Sequence, residues 1–165
     1  MSSYPNTILN QWMTSNGFLW TRVRSAQSPS TPNSPSGGVV EVALTKEGGT
    51  FKVPLILNGV IPLSFTVDSG AADVTIPADV VMTLIRTGTL KSTDFTGIQN
   101  YKLADGTVVP SKVFIIHTIR VGNRDVTNVT ASMTGVEGSL LLGQSFLSRF
   151  RRISFDYGQQ LLILE

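Results

Sequence analysis

From Val39 onward the chain reads as short alternating runs separated by turn residues. Val40, Val42 and Leu44 alternate with polar neighbours, and Phe51, Val53, Leu55 and Leu57 repeat the pattern. Successive side chains of a strand point to opposite faces, so a period of two marks strands with one buried side. Asn58-Gly59 follows, and both residue types tolerate the positive φ that a two-residue hairpin turn demands. Residues 60–67 then return as a partner strand, and Val74-Thr75-Ile76 reads as another short one. Residues 98–118 predict a second hairpin with Asp105-Gly106 at its tip. Residues 119–133 predict a third strand pair around Gly122-Asn123.

Two stretches depart from this period. Pro77 through Arg86 places Pro at a first helical position and apolar residues at Val80, Val81, Leu84 and Ile85, which predicts one short helix stopped by Thr87-Gly88. Leu140-Leu141-Leu142-Gly143 predicts a buried strand ending at Gly, and Ser145 to Phe150 a helical turn or two. Arg152–Tyr157 and Leu161–Leu164 close the chain, joined through Gly158. Many short strands with little helix predict an all-β barrel or sandwich.

Residues 1–38 follow another logic. Trp12, Met13, Phe18, Leu19 and Trp20 are mixed with polar residues, and Asn16-Gly17 interrupts any helical stripe. This segment is either a pro-segment or arm that docks on the body, or a poorly ordered tail. Residues 25–38 are dense in Ser and Pro and end in Gly37-Gly38, the composition of a linker. The folded domain is expected over residues 39–165.

Composition narrows the function classes. The 165 residues suffice for one domain with a core, and 41% hydrophobic against 15% charged residues excludes disorder throughout. The formal charge of +2 traces to Arg22 and Arg24; the remaining 11 Lys and Arg balance 11 Asp and Glu. The body is therefore formally neutral and carries no nucleic-acid footprint. With no Cys and a single His, His117, neither disulfides nor a zinc site of the usual ligands is expected, and no metal or cofactor is called for. No stretch approaches the ~20 apolar residues of a transmembrane helix. The first residues lack the charged start and apolar centre of a signal peptide. A soluble chain is expected, cytoplasmic, or periplasmic or membrane-tethered if a targeting segment lies elsewhere.

Asp68-Ser69-Gly70-Ala71 ends the apolar run Leu63–Val67. A carboxylate delivered by a strand into a tight Ser-Gly turn is an unusual placement, because Asp is seldom buried unless paired, bonded or functional. Taken alone, the motif is also compatible with a turn residue that bonds nearby backbone. The motif occurs once, and one Asp cannot act as both acid and base, so chemistry of that kind would need two copies of the chain.

Here the chain resembles a known family. Asp68-Ser69-Gly70-Ala71 matches the Asp-Thr/Ser-Gly-Ala motif of aspartic proteases, and Leu141-Leu142-Gly143 is similar to their later apolar-apolar-Gly motif, which lies behind the active-site loop. A single copy of each, about one small domain apart, resembles the retropepsins, the half-size aspartic proteases of retroviruses with relatives in bacteria. Gln144-Ser145-Phe146-Leu147, then Phe155-Asp156-Tyr157 and a Leu-rich last strand, are more similar to the bacterial branch. The resemblance covers roughly residues 39–165.

The resemblance implies a closed acid-protease barrel with one or two short helices, active as a symmetric homodimer that hydrolyses extended polypeptides. Asp68 of each chain would be catalytic. Two carboxylates about 3 Å apart cannot both ionise cheaply and share one proton, a general property of aspartic proteases and not something read from this chain. Ser69 would bond across the two-fold axis, and Gly70 and Ala71 would complete the loop. A flap is placed on the hairpin Tyr101–Val109, with Ala104, Asp105 and Gly106 near its tip. Asp73 is a candidate for substrate binding, although a solvated or backbone-bonding Asp fits equally, and Val74 and Ile76 are candidates for apolar pockets. Two positions depart from the viral pattern: Ala72 stands where Asp is usual, and Gln144 where Arg is usual. Those two residues pair in the viral enzymes, so losing both strands neither charge. It also implies a weak or concentration-dependent dimer.

Other residues have plainer readings. Asp105 is turn chemistry and Asp156 lies at a strand edge. His117 is a structural strand residue, since no Gly-x-Ser-x-Gly elbow accompanies it. Arg149, Arg151 and Arg152 form a solvated basic cluster. Two other function classes remain: a protease-like dimerisation and peptide-binding module without catalysis, and a monomeric barrel with no site.

Overall fold

A computed structural model describes residues 38–165. The arm and linker expected over residues 1–38 therefore lie, apart from Gly38, outside the described residues. The strands are β1 (Val40–Ala43), β2 (Thr45–Glu47), β3 (Thr50–Leu57), β4 (Ile61–Val67), β5 (Val74–Pro77), β6 (Phe95–Lys102), β7 (Val108–Val121), β8 (Arg124–Thr134), β9 (Leu141–Leu142), β10 (Ile153–Asp156) and β11 (Leu161–Leu164). Two short helices, α1 (Ala78–Arg86) and α2 (Gln144–Leu147), and a 3-10 turn (Ser92–Asp94) complete the set among the described residues.

The main sheet runs β2-β3-β4-β9-β5-β8-β7-β6, and β3 also pairs with β7. That extra pairing, Leu55 to Val121 through Leu57 to Ile119, closes the sheet on itself. The expected all-β closed barrel with short helices is thus the observed fold. Closure gives both β3 and β7 a neighbour on either side, which removes open edges where the core is largest. A separate three-stranded sheet has the order β1-β11-β10, with β11 in the middle and antiparallel to both neighbours.

The β3–β4 hairpin forms where Asn58-Gly59 predicts it, with φ of 48° and 70° at those residues. Its loop holds three residues and not two, because Leu57 pairs with Ile61 and Val60 N–H bonds back to Leu57 O at 3.0 Å. Gly122-Asn123 is a true two-residue loop, with Val121 opposite Arg124. The last hairpin turns through Tyr157–Gln160, and the positive φ falls on Gln160, at 53°.

Alternation along β3 puts Val53, Leu55 and Leu57 inside, facing Phe65 of β4 and Phe114, Ile116 and Ile119 of β7 in one core. Each such side chain stabilises the fold by about 1.5–3 kcal/mol on burial. Helix α1 begins after Pro77, which takes the cap position with an extended ψ of 149°, and buries Val81 and Leu84. Strand β5 is buried at all four residues, lying between β8, to which it is parallel, and β9. A strand covered on both faces loses the alternation that reveals orientation.

Candidate active site

Strand β4 carries the chain to Asp68, and β9 lies parallel beside it with Thr66 opposite Leu141 and Val67 opposite Leu142. Thr66 N–H bonds to Leu140 O at 2.9 Å, and Asp68 N–H to Leu142 O at 3.2 Å. The backbone of Asp68 is therefore the last rung of a ladder built by the second motif. Its side chain turns back on its own loop: Oδ1 accepts from Gly70 N–H at 2.8 Å, and Ala71 N–H reaches Asp68 O at 3.3 Å. Asp68 is half-buried, whereas Ser69 and Gly70 are exposed at the surface of the chain.

Gly143 explains how the two motifs come so close. A Cβ built there would lie 2.2 Å from Asp73 O and 2.7 Å from Ala71 O, both backbone atoms that cannot swing aside. With no side chain at 143, α2 presses its first turn against the loop. Gln144 N–H bonds to Ala71 O at 2.8 Å and Ser145 N–H to Ala72 O at 2.9 Å. The Gln144 side chain adds a third bond, from Nε2 to Ser69 O at 2.8 Å. Ser145 Oγ accepts from Val74 N–H at 2.9 Å and donates to Thr130 O at 2.7 Å, tying the loop's exit to β8. Carbonyls that would otherwise face water are thereby fixed from behind.

Asp73 closes the loop. Its Oδ2 accepts from the Tyr101 hydroxyl at 2.5 Å. Tyr101 stands on β6, so this bond joins the β6–β7 hairpin to the segment that carries Asp68. Burial pushes the Tyr101 phenol up to about 12; the hydrogen bond to Asp73 and its charge push the same way, and Ser132 opposes them through a hydrogen bond.

The structure brings Asp68, Ser69, Gly70 and Ala71 together with Leu141, Leu142 and Gly143. It places Ala104, Asp105 and Gly106 in an exposed five-residue loop between Lys102 and Val108. Asp105 Oδ1 accepts from Thr107 N–H at 2.8 Å, which holds its carboxyl below the usual value, as turn chemistry requires. Val74 and Ile76 are corrected. Both are 0% exposed and packed in the barrel core, so neither side chain lines a pocket. A pocket of about 300 Å³ lies instead over Thr66, Ser64, Lys52, Asp79 and Leu140. Thr66 lies near the end of β4, two residues before Asp68. The lining is more polar than the apolar pockets expected from the sequence.

Three contributors escaped sequence reasoning: the Gln144 side chain, the Ser145 hydroxyl and the Tyr101 hydroxyl. Each acts across a large sequence separation. Only Tyr101 carried a hint, as the one aromatic residue between Thr96 and Lys112 of the hairpin. His117, read as structural, lies on β7 with Nε2 2.9 Å from Asp94 Oδ1. Arg151 and Arg152, of the basic cluster, pair with Glu165 at 3.2 and 3.4 Å.

A strand that delivers Asp-Ser-Gly-Ala into a loop backed by Leu-Leu-Gly, inside a closed barrel of this connectivity, defines a retropepsin-like aspartic protease. Comparison with known proteins agrees. The chain is similar in fold to a retropepsin-like aspartic protease from Rickettsia conorii, with 21% identity, a TM-score of 0.57, and coverage of 82% of this chain and 96% of that one. The family model described as "gag-polyprotein putative aspartyl protease" matches residues 53–149, more than half of the chain. The chain belongs to that family of aspartyl proteases. A search of curated proteins found no match.

Proposed function

We propose that this chain is an aspartic endopeptidase whose active unit is a symmetric homodimer, with Asp68 of each copy forming the catalytic dyad. The observation that carries this reading is the Asp68 loop itself. Its backbone is braced from behind by β9 and α2, while Ser69 and Gly70 are left at the surface where a second copy can meet them. An isologous two-fold contact at that loop brings residue 68 of both chains together.

In the dyad one carboxylate is ionised and removes a proton from a solvent water. The other, protonated, donates to the peptide carbonyl as the water oxygen adds to its carbon. The proton taken from water then passes to the leaving amine as the C–N bond breaks, while a hydroxyl of the tetrahedral diol returns its proton to the other carboxylate as the product carboxyl forms, and the pair is again singly protonated. The titration belongs to the pair, so activity favours acidic to neutral pH. Ser69 braces the carboxylates across the axis, Gly70 leaves room for backbone, and the β6–β7 hairpin covers an extended peptide held by strand-like hydrogen bonds. The pocket over Thr66 and Lys52 accepts a substrate side chain.

The test uses Asp68→Asn, which keeps size and removes the acid. The variant is expected to fold normally and to cleave no denatured protein substrate at pH values from about 4 to about 7. Added in excess to the parent protein, it should also quench parent activity as mixed dimers form. A fully active mixture defeats the shared dyad, and cleavage by the pure variant removes Asp68 from the mechanism. Normal pairing and peptide binding by a parent protein that never cleaves would favour the non-catalytic module.

A further inference from the structure

The β6–β7 hairpin reaches well beyond the barrel. Strand β7 pairs with β8 from Val113 to Val121, but residues 98–112 are paired only within the hairpin. A two-stranded ribbon is marginally stable by itself in water. Between Thr96 and Val108 every residue is exposed except Tyr101. Ile98 is 71% exposed, Leu103 48% and Val108 58%, so the ribbon rests on no core of its own.

Tyr101 is the exception because its side chain leans inward to the body. Its hydroxyl donates to Asp73 Oδ2, and the residues on either side of Asp73 are held by hydrogen bonds to α2. The loop's Ala71 and Ala72 carbonyls are bonded by Gln144 and Ser145, and the next amide, Val74 N–H, is bonded by the Ser145 hydroxyl. A movable ribbon is thus fastened, through one phenol, to the rigid segment five residues after Asp68.

We propose that Tyr101 is a positioning residue that latches the β6–β7 hairpin to the Asp68 loop through Asp73, and so sets how much of the time the hairpin lies closed over the site. The catalytic half of this statement rests on the peptidase reading; the latch itself does not. The latch also gives Asp73 a role different from that of a free substrate-binding carboxylate, since one of its oxygens is already engaged. A hydrogen bond to an ionised acceptor is stronger than a neutral one, and opening the ribbon breaks it without disturbing any barrel pairing.

Tyr101→Phe keeps the ring and removes the hydroxyl. In the free protein, amide hydrogen exchange at Leu103 and Gly106, whose N–H groups are bonded within the hairpin, should speed up about tenfold or more, a range set by charge-assisted hydrogen bonds. Exchange at Ile116 and Val129, in the barrel core, should not change. Asp73→Asn, which keeps an acceptor oxygen and loses the charge, should fall between parent and Tyr101→Phe. With a peptide substrate, Tyr101→Phe should raise KM about tenfold and leave kcat within about twofold, the pattern of lost binding that is common to ground and transition states. Unchanged exchange at Leu103 and Gly106 overturns the latch, and so does a rise spread equally over Ile116 and Val129. A parent protein that cleaves no peptide fells the peptidase reading alone, and the exchange result still decides the latch.

Discussion

The side-chain amide of Gln144 donates to the backbone carbonyl of Ser69 at 2.8 Å. A neutral side chain thus reaches the Asp68 turn from a position where viral relatives carry Arg. The bond is exposed, so its net worth to stability is about 1 kcal/mol or less. Its worth to geometry is greater, because it fixes the carbonyl next to Asp68, the residue proposed to be catalytic. Gln144→Ala should lower kcat/KM about tenfold, the equivalent of about 1.4 kcal/mol at the transition state, while shifting thermal unfolding little. Peptide cleavage and a melting curve on the same sample check both halves.

Gly143 allows no side chain. In Gly143→Ala the new methyl group meets Asp73 O and Ala71 O, and the loop or α2 must retreat. Forced rearrangements of this kind cost about 1–3 kcal/mol. Urea denaturation should show that loss, and turnover should vanish even where the variant remains folded, since the retreat carries the Asp68 loop with it. Full activity in a stable Gly143→Ala protein contradicts the close packing of the two motifs.

If each chain supplies half of the dyad, activity per chain must fall on dilution. The absence of the viral Asp–Arg pair at Ala72 and Gln144 places that fall in an accessible concentration range, expected near micromolar, about −8 kcal/mol of association free energy. Sedimentation and initial rates over the same dilution series should show one common midpoint. A tight dimer that persists at nanomolar concentration rejects the weak-dimer expectation.

Asp94 is 7% exposed. Its Oδ2 accepts from Lys91 N–H at 2.8 Å and its Oδ1 meets His117 Nε2 at 2.9 Å. The Lys91 N–H is the main reason its carboxyl titrates below the ordinary 3.8; burial opposes this, and His117 reinforces it. A depressed carboxyl pKa adds stability that is complete above the unfolded value and is lost as pH falls through the folded one. Asp94→Asn should therefore be less stable than the parent at neutral pH, and the gap should close below about pH 4. Chemical denaturation across that range reads the difference; a gap that widens in acid has the wrong sign.

Local signals were legible in the sequence and long-range ones were not. Asn58-Gly59, Asp105-Gly106 and Gly122-Asn123 each encode a turn in two or so residues, and all three hairpins form. Helix α1 was readable from Val80, Val81 and Leu84, although Pro77 caps it instead of joining it. Val74 and Ile76 went to the wrong side because β5 is apolar on both faces, and a fully covered strand gives no parity to read. At the site, the motif residues themselves were visible because their spacing is short. The hydroxyls of Tyr101 and Ser145 and the amide of Gln144 were not, since nothing in a sequence says which distant carbonyl or carboxylate a polar side chain will find. The pairing of Asp94 with His117 was hidden for the same reason.

Strand β11 has neighbours on both sides within its own chain. Its rungs are already taken, so it cannot be lent to a second molecule without first being torn from β1 or β10. Should two copies pair as proposed, this sheet would meet the other molecule as a finished surface rather than as a braided end. A union of that kind would be made and undone without refolding this sheet, so that abundance alone would switch the pair on.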